Sequence, residues 1–462
     1  MGNGAICHTL NPRLFEDDLA YIINHAQDSV ILADASFVPV LTSLLPRCPT
    51  VKHVVLLTDE RHMPKQTKID VMCYEDLLME ESPNLEGFKW EVQDENQGAG
   101  LCYTSGTTGM PKGVMYTHRS NFLHALAVAL PDCLDVKSTS TILMVVPMFH
   151  ANSWGLAFAG PMMGAKLVLP GPYLDGASVY KLLEEHKVTT TAGVPTVWLG
   201  LLDHMEKRRL RLSTLRLVVI GGAACPRHII EYLEVTQGVE VRQLWGMTET
   251  SPTATVGAIK GSMVGLDREG LTQMKLKQGR PHIFIDMRIV DESGTELPWD
   301  GKAFGNLQVR GPHTLSRYYN SEAAAADAHG WFDTGDVATI DPQGFMQITD
   351  RSKDVIKSGG EWISSVVIEN VAVGHPQVAE AAVIAIPDPK WTERPLLVVA
   401  PQPGQTPTRD DILSYLSGKI ARWWMPDDVV FVKEIPHTAT GKISKLTLRK
   451  QWGNHKPPRA RM

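Results

Sequence analysis

Short runs of β-branched and aliphatic residues alternate with helix-like stretches through the first two thirds of the chain. Apolar residues recur at helical spacing over residues 178–186 and 195–205, and Pro195 is a residue type that suits the first turn of a helix. Strands that alternate with helices predict a mostly parallel α/β sheet, whose ligand sites lie at the strand ends. The predicted strands are residues 51–57, 142–146, 166–169, 188–191, 215–220 and 239–244.

The pattern changes after Gly279. The apolar runs at residues 283–290, 306–310 and 345–349 are short, and Gly, Pro and Asp separate them. Such spacing is typical of antiparallel strands joined by turns. A charged stretch at residues 350–353 follows them and predicts a domain boundary.

Beyond that boundary the sequence predicts a smaller α+β unit. Its predicted elements are strands near residues 382–386, 396–400 and 429–432 and a helix at residues 410–421. We therefore predict an α/β protein with two domains. The large N-terminal domain, residues 1–350, has mostly parallel sheets with helices plus an antiparallel subdomain, and residues 351–462 form a small α+β C-terminal domain.

Composition excludes several classes of protein. The chain has 462 residues with 45 Lys and Arg against 51 Asp and Glu, and the net charge is -6. This balance argues against a nucleic-acid binder held by bulk positive charge. The six cysteines are scattered without a CxxC pair, which predicts free thiols and a reducing, cytoplasmic location.

One stretch is long enough to be tested as a membrane span. Residues 138–165 contain no Lys, Arg, Asp or Glu, and about 20 apolar residues suffice to cross a bilayer. Pro147, His150 and Pro161 interrupt the stretch. We therefore predict a strand, a loop and a helix inside a core, and no membrane span.

The strongest chemical signal is a loop rich in hydroxyl groups and glycine. Glycine lets backbone amides approach an anion, Thr and Ser add donors, and a lysine adds a point charge. The pattern is not the P-loop of kinases and GTPases, because Gly113 follows Lys112 where that motif has Ser or Thr. The loop predicts a phosphate site made by Thr104, Ser105, Gly106, Thr107, Thr108, Gly109 and Lys112.

This loop resembles the phosphate loop of the adenylate-forming enzymes, a superfamily of acyl-CoA synthetases, luciferases and carrier-protein-loading adenylation domains. Further similar pieces follow in the order and spacing of that family: PMFH at 147–150, GGAA at 221–224, QLWGMTE at 243–249, GWFDTGD at 330–336, DRSKD at 350–354, KSGGEWISS at 357–365 and TGKI at 440–443. The KSGGEWISS piece and HTLNPRL at 8–14 are similar to the fatty-acyl and medium-chain branch of the acyl-CoA synthetases.

The resemblance implies ATP-dependent ligation of a carboxylic acid, a medium- or long-chain fatty acid, to CoA through an acyl-AMP. In that reading the 104–112 loop holds the β- and γ-phosphates, Thr248 bonds the α-phosphate and Glu249 ligates Mg²⁺. Trp245 stacks on adenine, although its residue type alone fits a core indole equally well. The resemblance assigns Gly222 and Ala223 to the adenine edge and acyl chain, Asp336 to the ribose hydroxyls and Arg351 to ribose or phosphate.

The same resemblance assigns the remaining positions of the site. Lys442 bridges the attacking carboxylate and the α-phosphate, and Lys353 is the hinge about which the small domain rotates between the two reactions. The other expected contacts are His150, Trp154 and Gly155 at the acyl pocket and Gly359 and Gly360 along the pantetheine tunnel of CoA.

Three alternatives stay open from the sequence. Family members carry a substantial segment before the 8–14 piece, and its absence here predicts exposed apolar surface, an unpaired strand edge and impaired activity. The chain is then a catalytically impaired nucleotide-binding homologue. The second alternative is an adenylating enzyme with another acyl acceptor, and the third is a luciferase-like oxidase. The expected partners are the small carboxylic acid and CoA, with a homodimer left open.

Overall fold

The computed structural model describes residues 1–81, 89–91, 94–104, 110–351, 354–359, 361–437 and 443–457, with the backbone alone at 361–362. The described chain forms two compact units. The first comprises residues 1–118 and 318–320, and the second comprises residues 119–317 and 321–462.

The first unit contains two small sheets. Strands β2, β3 and β4 pair in parallel, and β5 lies between a parallel β1 and an antiparallel β6. Strand β2 is an edge strand on which Val30 and Leu32 are exposed. The elements are β1 (Cys7–His8), α1 (Glu16–Ala26), β2 (Val30–Ala33), α2 (Val38–Leu44), β3 (His53–Leu56), β4 (Met72–Cys73), α3 (Tyr74–Glu80), β5 (Gly98–Tyr103) and β6 (Gly113–Thr117).

The second unit is built around a seven-stranded sheet of order β13-β12-β11-β10-β9-β7-β8. Strands β7, β8, β9, β10 and β11 pair in parallel, whereas β12 is antiparallel to β11 and β13 is antiparallel to β12. Its elements are α4 (His118–Ala129), β7 (Thr141–Leu143), α5 (Ala151–Trp154), α6 (Leu156–Met163), β8 (Lys166–Val168), α7 (Gly176–Glu185), β9 (Thr190–Gly193), α8 (Pro195–Arg208), β10 (Leu217–Gly221), α9 (Arg227–Glu231), β11 (Glu240–Gly246), β12 (Thr253–Val256), α10 (Arg268–Lys275) and β13 (Arg280–Pro281).

Local sequence explains the central elements of this sheet. Every residue of β10 is buried, as expected for an aliphatic strand covered on both faces. Helix α7 begins where the Asp175 carboxylate accepts hydrogen bonds from the backbone of Ala177 and Ser178. Helix α8 begins at Pro195, whose missing N–H is not needed in a first turn.

Two further sheets complete the second unit. The first is antiparallel, of order β14-β15-β16-β17, and the second has the order β19-β18-β21-β20 with β22 parallel to β21. Their elements are β14 (Asp286–Val290), β15 (Phe304–Arg310), β16 (Phe332–Ile340), β17 (Met346–Arg351), β18 (Ile356–Ser358), β19 (Glu361–Ile363), α11 (Ser365–Val373), β20 (Val378–Asp388), β21 (Thr392–Pro401), α12 (Arg409–Leu416), β22 (Asp428–Phe431) and α13 (Lys445–Trp452).

The strand–loop–helix prediction for residues 138–165 is confirmed by β7, α5 and α6. Among the described helices, the structure contains none with the length and apolar character needed to span a membrane. Strand β17 includes Asp350 and Arg351 from the charged stretch, and Asp350 is buried. The Asp350 carboxylate accepts a hydrogen bond from the Ser365 backbone.

Candidate active site

The carboxyl end of β10 is open to close approach. Gly221 lies in the strand, and a Cβ there would lie 2.8 Å from the carbonyl oxygen of Leu244 and 3.0 Å from the indole of Trp154. Gly222 has φ of +79°, and it and Ala223 are exposed. Backbone at the carboxyl end of a parallel strand is where α/β proteins bind ligands, so this position fits the predicted contact with the adenine edge and acyl chain.

The Trp154 indole reaches Gly221 from a turn of left-handed backbone. Residues 151–154 have φ between 43° and 57°, and Gly155 continues the turn with φ of +78°. Non-glycine residues rarely occupy this region, so the turn is strained. Ser153 anchors it by donating a hydrogen bond to the carbonyl oxygen of Val146, and a Cβ on Gly155 would lie 2.5 Å from the His124 ring.

His150 directly precedes this turn. Its ring lies 4.7 Å from that of Phe149, at a tilt of 57°, and is partly buried. The structure thus places His150, Trp154 and Gly155 on one short segment beside the end of β10.

A second group of predicted residues meets at the end of β11. Trp245 is the penultimate residue of that strand, and its indole N–H donates a 3.0 Å hydrogen bond to Asp336. The other Asp336 oxygen pairs with the Arg351 guanidinium at 2.8 Å. Three residues from three separate motifs are therefore in direct contact, with Asp336 buried and Arg351 partly exposed.

Glu249 lies in a short 3₁₀ turn, residues 248–250, between β11 and β12. The residue is 6% exposed, and its carbonyl oxygen accepts a hydrogen bond from the Leu315 backbone at 2.7 Å. Thr248 precedes it. One protein carboxylate is a usual contribution to a Mg²⁺ site that phosphate oxygens and water complete. Among the described residues no group of three or more His, Cys, Asp or Glu could hold a metal ion.

The first unit holds the ends of the predicted phosphate loop. Thr104 and Lys112 are hydrogen-bonded to each other, and the Thr104 amide donates to the Lys112 carbonyl oxygen at 2.9 Å. The Thr104 hydroxyl accepts a hydrogen bond from the Lys112 amide, and the Lys112 ammonium lies 4.7 Å from the ring centre of Tyr318. The intervening predicted residues, Ser105, Gly106, Thr107, Thr108 and Gly109, lie outside the described residues.

Gly359 marks the predicted CoA tunnel. Its φ is +60°, its amide bonds the Trp391 carbonyl oxygen at 2.7 Å, and a Cβ would lie 2.7 Å from the Trp391 indole. A groove of about 360 Å³ adjoins this contact and is lined by Asp388, Lys390, Trp391, Arg394, Trp423 and Asp427. Gly360, the predicted hinge Lys353 and the predicted catalytic Lys442 lie outside the described residues.

Sequence reasoning missed a group of histidines behind the Glu249 turn. His124, His282 and His313 come from three distant segments, and no motif joins them. Burial and the neighbouring imidazoles hold the pKa of His124 well below its usual range, and the same causes lower the pKa of His313 to about 4. Only the folded arrangement brings these rings together, so spacing along the chain carried no signal.

Two family models match most of the chain. The AMP-binding enzyme family matches residues 1–319, and the C-terminal domain of AMP-binding enzymes matches residues 367–442. The chain belongs to the AMP-binding enzyme family.

Curated relatives match nearly the whole chain. A medium-chain-fatty-acid–CoA ligase of Ectopseudomonas oleovorans is 45% identical over 453 residues, covering 98% of this chain and 82% of the relative. A long-chain-fatty-acid–CoA ligase of Thermus thermophilus is 45% identical over 458 residues, with the same coverage. A 3-methylmercaptopropionyl-CoA ligase of Ruegeria lacuscaerulensis is 46% identical over 451 residues, covering 98% of this chain and 83% of the relative.

Solved structures show the same fold. The anthranilate CoA ligase AuaEII in complex with anthranoyl-AMP is 25% identical with a TM-score of 0.83, over 97% of this chain and 83% of that one. The o-succinylbenzoate CoA synthetase of Bacillus subtilis, in complex with ATP and magnesium ion, is 25% identical with a TM-score of 0.77, over 96% and 84%. The predicted family and α/β fold class are confirmed, as is the reaction class, an acid–thiol ligase of the AMP-forming kind.

Proposed function

We propose that this chain activates a medium-chain or longer fatty acid, or a similar apolar carboxylic acid, as the acyl-AMP and then transfers the acyl group to CoA. The single observation that carries the choice of acid is the packing of the Trp154 indole on Gly221 at the end of β10. The apolar indole, which is 8% exposed, adjoins the backbone proposed for the nucleotide. An acyl chain lying along the indole would bring its carboxylate towards the phosphate groups.

Different residues of the second unit bind different parts of the nucleotide. Asp336, fixed by Trp245 and Arg351, offers its carboxylate to the ribose hydroxyls. Thr248 bonds the α-phosphate, and Glu249 ligates Mg²⁺. Bound Mg²⁺ supplies positive charge that offsets the charge gathering on the phosphates.

The division into domains 1–350 and 351–462 belongs to the same proposal. Strand β17 ends at Arg351, which pairs with Asp336, the residue proposed to bind the ribose. The proposed hinge Lys353 follows two residues later in the sequence. Lys442 then acts in acyl-AMP formation and leaves when the small domain rotates. One site can in this way serve pyrophosphate release and CoA attack in turn.

CoA binding is assigned to the small domain. Gly359 and Gly360 are assigned to the pantetheine chain. At 359 a side chain would collide with Trp391, so only glycine leaves this backbone open. The exposed Trp391 ring, with the Lys390 ammonium 4.6 Å from its centre, offers stacking and positive charge to a phosphorylated nucleotide.

The test is a two-step assay of the purified chain with saturated acids of increasing length. Pyrophosphate release should peak with medium or longer acids, and CoA-thioester should form with the same acids. Lys442→Ala should lose acyl-AMP formation but largely keep thioester formation from preformed acyl-AMP. Release without any thioester would mean a different acyl acceptor, and ATP binding without release would mean an impaired homologue.

We also place the chain in the cytoplasm. Its six cysteines are all described and all free, which suits a reducing compartment. A homodimer is the remaining assembly proposal, and light scattering of the purified protein measures it directly.

A further inference from the structure

Three imidazoles converge on the backbone that follows Glu249. His124 comes from α4, His282 follows β13 and His313 follows β15. The rings of His124 and His313 lie 5.4 Å apart edge to face, and those of His282 and His313 lie 5.3 Å apart in a stack. His124 and His313 are almost wholly buried, at 1% and 2% exposure.

Each ring bonds the main chain of the segment at residues 250–253. His313 Nδ1 donates to the Thr250 carbonyl oxygen at 2.9 Å, and His124 Nε2 accepts from the Thr253 amide at 3.1 Å. His282 Nε2 donates to the Thr253 carbonyl oxygen at 2.8 Å. These bonds satisfy buried backbone groups that would otherwise cost free energy.

Further hydrogen bonds join the segment that carries His313 to the Glu249 turn. The Ser251 hydroxyl donates to the His313 carbonyl oxygen at 2.7 Å, and Leu315 bonds the carbonyl of Glu249 itself. The segment that carries His313 therefore holds the Glu249 turn from both ends. Burial lowers the pKa of all three histidines. In the neutral form that this favours, His313 donates and His124 accepts, as their bonds to the segment require, whereas both nitrogens of His282 face carbonyl oxygens, those of Thr253 and Ile283.

We propose that His124 and His313 are positioning residues that fix the 248–253 turn, and with it Thr248 and Glu249, for the α-phosphate and Mg²⁺. The inference rests on the proposed function of that turn. Neither imidazole is assigned a contact with the substrates, and both act through the backbone. Because placement within about an ångström decides how well a site works, loosening the turn should weaken Mg²⁺-dependent steps first.

The geometry selects the variants. Asn keeps a donor near the place of His313 Nδ1, and Gln keeps an acceptor near the place of His124 Nε2, so His313→Asn and His124→Gln are the conservative pair. His313→Leu and His124→Leu remove the bonds. His228→Leu, which changes an exposed histidine on α9 away from this group, is the control.

The measurement is calorimetric binding of a non-hydrolysable ATP analogue with and without Mg²⁺, alongside the rates of both half-reactions. The leucine variants should lose about tenfold or more of the gain in affinity that Mg²⁺ confers, and a similar factor in acyl-AMP formation. The Asn and Gln variants should recover most of that loss, and His228→Leu should match the parent chain. Thioester formation from preformed acyl-AMP should change much less.

Two results would overturn the inference. One is a folded leucine variant whose analogue binding responds to Mg²⁺ as the parent does. The other is equal loss in the leucine and conservative variants, which would indicate a requirement for imidazole itself. If the leucine variants do not fold, comparison of the conservative variants with His228→Leu still decides. Absence of Mg²⁺-dependent binding by the parent chain would count against the proposed function instead.

Discussion

The left-handed turn at residues 151–154 predicts an unusual response to glycine. Ala151 has φ of 43° and a side chain that is 5% exposed. An L-residue in this region costs about 1–2 kcal/mol, whereas glycine occupies it readily. Replacement of Ala151 by glycine removes that strain, while it also deletes a buried methyl group and frees the unfolded chain.

Ala159 supplies the matched control, because it is fully buried in α6 of the same unit. Glycine in a helix interior costs about 1 kcal/mol relative to alanine, and loss of the buried methyl adds about 0.8 kcal/mol. Ala159→Gly should therefore lower the free energy of unfolding by about 2 kcal/mol. Ala151→Gly incurs similar losses, but release of strain offsets them and leaves a loss of about 0–1 kcal/mol.

The assay is urea unfolding followed by tryptophan fluorescence, with both variants read from the same transition. The quantity of interest is the difference between the two losses, expected at about 1–2 kcal/mol in favour of Ala151→Gly. Equal losses would refute the reasoning, because they would mean that Ala151 stores no backbone strain.

Individual contacts define three more expected outcomes. Gly246→Ala should abolish binding of an ATP analogue in calorimetry, because a Cβ would lie 1.8 Å from the Pro252 carbonyl oxygen; normal binding would contradict this contact. Glu369→Gln and Lys445→Met each break a buried 2.8 Å ion pair and should each cost about 3 kcal/mol in urea unfolding, with the double variant costing clearly less than the sum. Burial lowers the pKa of His313 from 6.5 to about 4, so only the unfolded chain takes up this proton between those pH values. The free energy of unfolding should therefore decrease as the pH is lowered from 6.5 to 4, and urea unfolding should show a smaller decrease in His313→Asn.

Apolar patterning predicted the central sheet well. Strand β10 and helix α8 lie within a few residues of their predicted positions, because buried strands and a proline-started helix depend on local sequence. The predicted strand at 142–146 ends early at Leu143, where the Val145 amide turns back to bond the Leu143 carbonyl oxygen. The apolar run continues beyond the strand because the following loop is also buried.

The contacts of the site could not be read from the same patterns. Motif resemblance named Trp245, Asp336 and Arg351 separately, but their mutual hydrogen bonds come from strands β11, β16 and β17 of two different sheets. The left-handed turn has only Asn152 and Gly155 as local signals, since Ala, Ser and Trp do not favour positive φ. Packing imposes that backbone, and packing is not visible in a single sequence.

One buried ring joins the two sides of the proposed site. The left-handed turn that carries Trp154 packs at Gly155 against His124, and the opposite nitrogen of that ring accepts the amide proton of Thr253, four residues beyond Glu249. A rigid imidazole in a close-packed interior cannot yield to one neighbour without pressing on the other. The surface proposed for the acid and the turn proposed for Mg²⁺ therefore share a support, and neither motif can be interpreted fully without the histidine between them.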